Sequence, residues 1–249
     1  MPPTRFSVQP LEKQRGFTLV ELLVILGVVG LLVALCLSAH GTATNQTKRA
    51  QCAGNLRQFT LALQILANES QERFPTNFGY WAFDIAADIG TFVESTGSKW
   101  TVMYCPAASP RFSETDNWNL YNYTSGYRVL GYANTLPGNQ SVIETNVNPT
   151  LAPSPLQVGF GIYVTPLVSE RVLLADTTIS QPGQNNPATR YNYNFTDIYS
   201  GYPKTYGSAH LNGHFPAGGN VGMLDGHVEW RKFDDMTPRT GVNSPVFWW

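Results

Sequence analysis

Three histidines and one carboxylate fall close together near the C-terminal end, in the segment SAHLNGHFPAGGNVGMLDGHVEW: His210, His214, Asp225 and His227. Imidazole is a common ligand for transition metals, so His214, Asp225 and His227 are candidate metal ligands. Their spacing follows no regular ligand pattern, and Asp225-Gly226 also suits a tight turn, where an aspartate needs no ion. Calcium would ask for more carboxylates than Asp225 and the nearby Asp234 and Asp235 provide. Asp176, at the end of RVLLAD, could pair with His210 or His214 as an acid and base. A strand-end aspartate is also a common turn former. No nucleophile elbow, phosphate loop, dinucleotide fingerprint or HExxH accompanies it, so no catalytic residue, enzymatic activity or cofactor is expected.

The three cysteines, Cys36, Cys52 and Cys105, show neither CxxC nor Cys/His spacing. In an oxidising compartment Cys52 and Cys105 could form a disulfide; two unpaired small residues are the plainer alternative.

One more chemically active side chain stands in an unusual place. Glu21 lies inside RGFTLVELLVILGVVGLLVALCL, where Thr18, Glu21 and Ser38 are the polar residues between Phe17 and Ala39. That length of apolar helix crosses a hydrocarbon core of roughly 30 Å, and a carboxylate at its middle costs about 2.5 to 3.5 kcal/mol to insert. Arg5, Lys13 and Arg15 precede the block against Glu12, so the positive-inside rule keeps the N-terminus cytoplasmic and sends the chain beyond residue 40 outside. A secretory signal cut near Gly41 would have a shorter apolar run, and a plain anchor gives no reason for the carboxylate.

The remaining elements are read from periodicity. Cys52, Leu56, Phe59, Leu63 and Leu66 step by four and three, which predicts an amphipathic helix ending near Asn68. Gly41 and its polar neighbours predict a bend or local melting around residues 40–47. YWAFDIAADIGTFV predicts a second helix through Trp81, Ile85, Ile89 and Phe92. β-Prone runs begin at Trp100, Tyr127, Gly159 and Arg171, and NVGML and HVEWRKF flank Asp225-Gly226 as a type I′ hairpin. A stem helix followed by antiparallel strands is an α+β head. Two long loops, residues 108–126 and 177–207, are rich in Asn, Gly, Pro and Tyr. A Tyr-rich surface can stack on sugars or meet a protein, or it can simply pack on the sheet. With 43% hydrophobic and 13% charged residues and a net charge of -1, nothing steers the chain toward nucleic acid.

RGFTLVELL resembles the N-terminal signature of type IV prepilins and type II secretion pseudopilins. The resemblance implies cleavage between Gly16 and Phe17 by a prepilin peptidase, methylation of Phe17, and an assembly role for Glu21, the fifth residue of the mature chain. It implies a bacterial inner-membrane protein with one pass and a periplasmic or extracellular head. Its partners would be other pilin or pseudopilin subunits, the peptidase/methyltransferase, the inner-membrane assembly platform and membrane lipid. The fold implied is pilin-like: a long N-terminal membrane-spanning helix packed on an antiparallel β-sheet head with long loops. In these terms residues 1–16 are a leader, 17–39 a transmembrane helix, 40–70 its continuation and 71–249 the head, with a hairpin motif at 210–233. The function implied is that of a structural subunit of a type II secretion or type IV pilus-like filament. The alternative is a membrane-tethered or filament-tip module that recognises glycan or protein through its Tyr-rich loops.

The tail also resembles that of a pilin-like family abundant in planctomycete and verrucomicrobial genomes, defined by a histidine, nine residues and Asp-Gly. CAGNLRQ from Cys52 and the Cys-Pro at Cys105 match further features of that family. Here ten residues separate His214 from Asp225 and fourteen separate His210 from it, so either histidine could hold the family position beside Asp225 and Gly226.

Overall fold

The computed structural model describes residues 16–108, 126–199, 205–241 and 245–249; the side chains of residues 35–43 lie outside that set. Residues 1–15 of the expected leader 1–16 and most of the first Tyr-rich loop therefore lie outside the described residues. The chain divides into two compact units, Met1–Thr44 and Asn45–Trp249, and one helix, α1 (Leu19–Glu69), has residues in both.

In the first unit the residues from Leu19 to Val33 are exposed and almost all apolar. Among the described residues no helix is long and apolar enough to cross a membrane. The helical residues 19–34, whose side chains are described, rise over about 24 Å, short of the roughly 30 Å of a hydrocarbon core. The expected span of 17–39 runs on into side chains that are not described. The local melting expected at 40–47 is not seen: the backbone stays helical through Gly41. One glycine costs a helix about 1 kcal/mol relative to alanine, too little to break one continued on both sides.

In the second unit the predicted stripe is the buried face of α1. Cys52, Leu56, Phe59, Leu63 and Ala67 are fully buried, Leu66 packs at the edge, and Thr60 is buried among them. The helix ends one residue beyond Asn68.

The stripe meets a four-stranded antiparallel sheet, ordered β11-β10-β6-β3. Its strands are β3 (Tyr132–Asn134), β6 (Val172–Asp176), β10 (Gly218–Met223) and β11 (Val228–Lys232). All residues of β3, β6 and β10 are buried, whereas β11 alternates at the edge. α1 approaches β10 tightly at Gly222, where a Cβ would stand 2.6 Å from the Thr60 hydroxyl and 3.4 Å from Leu56 Cγ. A hairpin at Asp225-Gly226 joins β10 to β11, with Gly222 opposite Val228, but its turn is not the expected type I′: the Gly226 N–H donates to the Met223 carbonyl at 2.9 Å, and Gly226, at φ 92°, takes the positive φ that Asp225 does not. Gln64 on α1 donates to the Leu224 carbonyl at 2.7 Å and holds the turn down.

Elsewhere the strands are shorter than expected. The first half of the expected second helix is a strand instead: β1 (Asp84–Ala86) pairs with β2 (Tyr127–Val129), and α2 covers only Ala87–Ser95. Asp84 decides this locally, because its carboxylate accepts the Tyr80 and Trp81 N–H groups at 2.9 and 2.8 Å and closes a turn ahead of it. The run from Trp100 forms a 3-10 turn, Trp100–Met103, in place of a strand. The run from Tyr127 is split between β2 and β3. The run from Gly159 belongs to an exposed hairpin, β4 (Leu156–Gly159) with β5 (Ile162–Val164). β7 (Ile179–Ser180) pairs with β12 (Val246–Phe247), and β8 (Leu211–Asn212) with β9 (Phe215–Pro216). The described part of the second Tyr-rich loop is packed at one point, where Phe195 joins Phe233, Met236, Val246 and Trp248 in a second apolar cluster, while Tyr191 and Tyr199 stand more than half exposed. The fold is thus an N-terminal helix with a β-rich, antiparallel C-terminal part.

Candidate functional site

Two groups of side chains carry chemistry. The first is at the start of α1. Gly16, Phe17 and Thr18 precede the helix without regular structure, and Gly16 and Phe17 are exposed, Phe17 by 76%. Thr18 and Glu21 form a reciprocal capping box. Thr18 donates from both its N–H and its hydroxyl to Glu21 Oε2 at 2.8 Å, and the Glu21 N–H donates to the Thr18 hydroxyl at 3.2 Å. The carboxylate therefore satisfies helix-start donors of its own chain. Both bonds fall on one oxygen, and among the described residues Oε1 has no partner.

The second group is not legible as a group in the sequence. Cys52, Cys105, Asp176 and His210 are all buried, and one donor atom from each lies within 4.8 Å of the other three. Each comes from a different part of the fold. Cys52 belongs to the stripe of α1, Cys105 follows the Trp100–Met103 turn, Asp176 ends β6, and His210 immediately precedes β8.

The Cys52 thiol donates to Asp176 Oδ1 at 2.7 Å. Asp176 Oδ2 lies 3.1 Å from His210 Nε2 and accepts the Asn220 N–H at 2.6 Å and its side-chain amide at 3.1 Å. Cys105 Sγ is 3.3 Å from His210 Nε2, and the Tyr132 hydroxyl is 3.5 Å from Cys52 Sγ.

The electrostatics follow from these contacts. Burial pushes the Asp176 carboxyl up, but the His210 hydrogen bond and charge, the Cys52 thiol and the Asn220 N–H outweigh it and hold the group below its ordinary range. Burial pulls His210 down, yet its bonds to Asp176 and Cys52 and their charges raise it to about 9. Burial raises both thiols, Cys52 well above its ordinary value, so neither is an activated nucleophile.

A surrounding layer orients the four side chains. Asn55, one turn along α1 from Cys52, donates to the Tyr104 carbonyl at 3.2 Å and so fixes the residue before Cys105. The Asn220 amide also reaches the Arg49 carbonyl at 3.3 Å, tying β10 to α1 beside Asp176. The His210 ring stands edge-on to Trp230, with centroids 5.2 Å apart, and the Arg49 guanidinium lies 3.8 Å from the Trp230 centroid. His210 itself sits at φ 51°, a conformation uncommon outside glycine and typical of positions under functional constraint.

Several expectations meet this geometry. Cys52 and Cys105 are brought to one place, as free thiols rather than a disulfide. Asp176 does pair with His210, but in a buried cluster rather than an open cleft. The candidate ligands His214, Asp225 and His227 are not gathered. Asp225 binds His227, Oδ1 to Nδ1 at 2.6 Å and to its N–H at 3.1 Å, as a turn aspartate does, and His214 is exposed on the β8–β9 turn. Of the two tail histidines, His210 is the one that joins the cluster. Two paired readings, Cys52 with Cys105 and Asp176 with His210, point to halves of the set; the scarcity of such residues, three cysteines and four histidines in the whole chain, is the signal that could have joined them.

Residues 12–37 match the family of the prokaryotic N-terminal methylation motif. That motif indicates a type IV pilin-like or pseudopilin-like protein. No curated protein and no solved structure matches the chain.

Proposed function

We propose that the chain is the precursor of a pilin-like structural subunit, cut between Gly16 and Phe17 on the cytoplasmic side, methylated on Phe17, and assembled into a type II secretion or type IV pilus-like filament. The single observation that carries this reading is the register of the methylation motif on α1. Gly16-Phe17 is exposed and free of regular structure, and Glu21 stands in the first turn of the helix.

Cleavage creates an ammonium group at Phe17, and the Oε1 of Glu21 on a neighbouring helix is a ready acceptor. Two unit charges about 4 Å apart at an effective dielectric near 20 attract by roughly 4 kcal/mol, enough to offset the insertion of one carboxylate. Since Glu21 lies one turn above Phe17, such pairing requires an axial stagger between subunits, which helical assembly provides. The apolar block 17–39 crosses the membrane in this reading, with the N-terminus cytoplasmic and the head periplasmic or extracellular. The β4–β5 hairpin adds support, because Val158, Phe160, Ile162 and Tyr163 all stand more than half exposed and a neighbouring subunit would cover them.

The test is intact-mass analysis of protein recovered from membranes of cells that carry a prepilin peptidase, beside a Gly16→Val variant. Loss of residues 1–16 with one added methyl, abolished in the variant, is the expected result. An uncut chain overturns the reading. Assembly is then read separately, from whether Glu21→Ala still enters filaments at the wild-type level.

A further inference from the structure

We propose that Cys52, Cys105, Asp176 and His210 form a closed, structural zinc site that locks α1 to the sheet.

The donor set decides the ion. Two sulfurs and an imidazole nitrogen select a borderline or soft transition metal, and sulfur argues against calcium, which takes oxygen ligands. Two thiolates, one imidazole and one carboxylate oxygen are four donors from zinc's ordinary list, with bonds of about 2.3 Å to sulfur and about 2.0 to 2.2 Å to nitrogen and oxygen. A tetrahedron with those bonds separates its donors by roughly 3.3 to 3.8 Å. The structure holds Cys52 Sγ at 2.7 Å from Asp176 Oδ1, His210 Nε2 at 3.1 Å from Asp176 Oδ2 and Cys105 Sγ at 3.3 Å from His210 Nε2. Since all four donor atoms already lie within 4.8 Å of one another, side-chain adjustments on the order of an ångström suffice to seat the ion.

The surroundings are those of a metal site and not of a casual polar cluster. Asn220 holds the carboxylate through two bonds, Asn55 fixes the backbone next to Cys105, and Trp230 sets the plane of the His210 ring. Such outer contacts orient ligands before the ion arrives. A disulfide would use only the two sulfurs and leave Asp176 and His210 buried with less to hold them, whereas the two thiols here, close to each other, also reach Asp176 and His210.

Binding replaces protons by the ion. Zn2+ displaces one proton from each thiol and one from the imidazolium, leaving two thiolates, a neutral imidazole and a carboxylate around it, with net charge -1. Four protein donors fill the tetrahedron and all four residues are buried, so no position remains for water or substrate. The site is a staple, not a catalyst. It stands on residues of the second unit alone and is independent of processing at Gly16.

The experiment uses the full chain, purified in detergent without chelators. Elemental analysis should find one zinc per chain. Replacement by Co2+ should give the thiolate-to-cobalt charge-transfer band and the intense visible bands of a tetrahedral site, both lost in Cys52→Ser and His210→Ala. Because those variants could fail to fold, the wild-type protein also carries a test of its own. With zinc bound, Cys52 and Cys105 should resist alkylation and become reactive only after chelation in denaturant, with the melting temperature of the chelated protein lowered. Metal-free protein that fails to take up Co2+ with both thiols reduced, or a Cys52–Cys105 disulfide in the peptide map, overturns the proposal.

Discussion

The Cys52 thiol and the Asp176 carboxylate, 124 residues apart in the chain, meet at 2.7 Å in the buried space between α1 and β6. That contact joins the second-unit part of α1 to the central sheet. Around it, hydrogen bonds from β10 and the segment before β8 make the junction a four-way one.

Asn220 is the clearest support of this junction. Its amide donates to Asp176 Oδ2 and to the Arg49 carbonyl. Asn220→Ala keeps the backbone N–H bond but strips both side-chain bonds, one of them to a buried charge. It should lower stability by about 1.5 to 3 kcal/mol, read as a shift in the denaturation midpoint at unchanged slope.

Asp84 supplies a pH dependence. Burial raises its carboxyl from 3.8 to about 7, against the pull of the Trp81 and Tyr80 N–H groups, and Oδ1 is buried without a partner among the described residues. Between those two values the folded chain holds a proton that the unfolded chain releases. Its contribution to stability is therefore greatest below about pH 4 and is lost as the pH rises toward 7, by up to about 4 kcal/mol. Asp84→Asn should remove this slope. Thermal melts across that range should show wild type losing stability relative to the variant as the pH rises.

Gly222 and Thr60 form a coupled pair. The Thr60 hydroxyl is buried with no partner among the described residues, so Thr60→Ala should be close to neutral. Gly222→Ala drives a methyl against that hydroxyl and against Leu56 and should cost about 1 to 3 kcal/mol. In the double variant the cost should fall by at least about 1 kcal/mol, measured as the interaction energy of a denaturation cycle.

What the sequence reveals, and what it hides, divides by distance along the chain. The stripe from Cys52 to Leu66 repeats every three or four residues, so α1 and its buried face can be read directly. Asp225-Gly226 marks its hairpin and the two strands in the same way, though not the type of turn, since Gly226 but not Asp225 has positive φ. Residues 84–86 read as helix because Ile85 and Ile89 share a helical spacing; the Asp84 turn and pairing with β2, more than 40 residues away, prevail. The run from Trp100 has the composition of a strand but no neighbour to pair with among the described residues, and curls into a single turn. The four-residue cluster has no local signature at all. It exists because α1, β6 and two loop segments converge, and no spacing within any one of them records the others.

The glycine that lets α1 approach β10 also has an evolutionary reading. A path on which position 222 gains a side chain before position 60 loses its hydroxyl passes through a destabilised intermediate, whereas the reverse order does not. Helix and strand therefore share a history at this point of contact. Change at position 60 is the permissive step, and descendants of this chain with alanine at 222 should carry a small residue without a hydroxyl at 60.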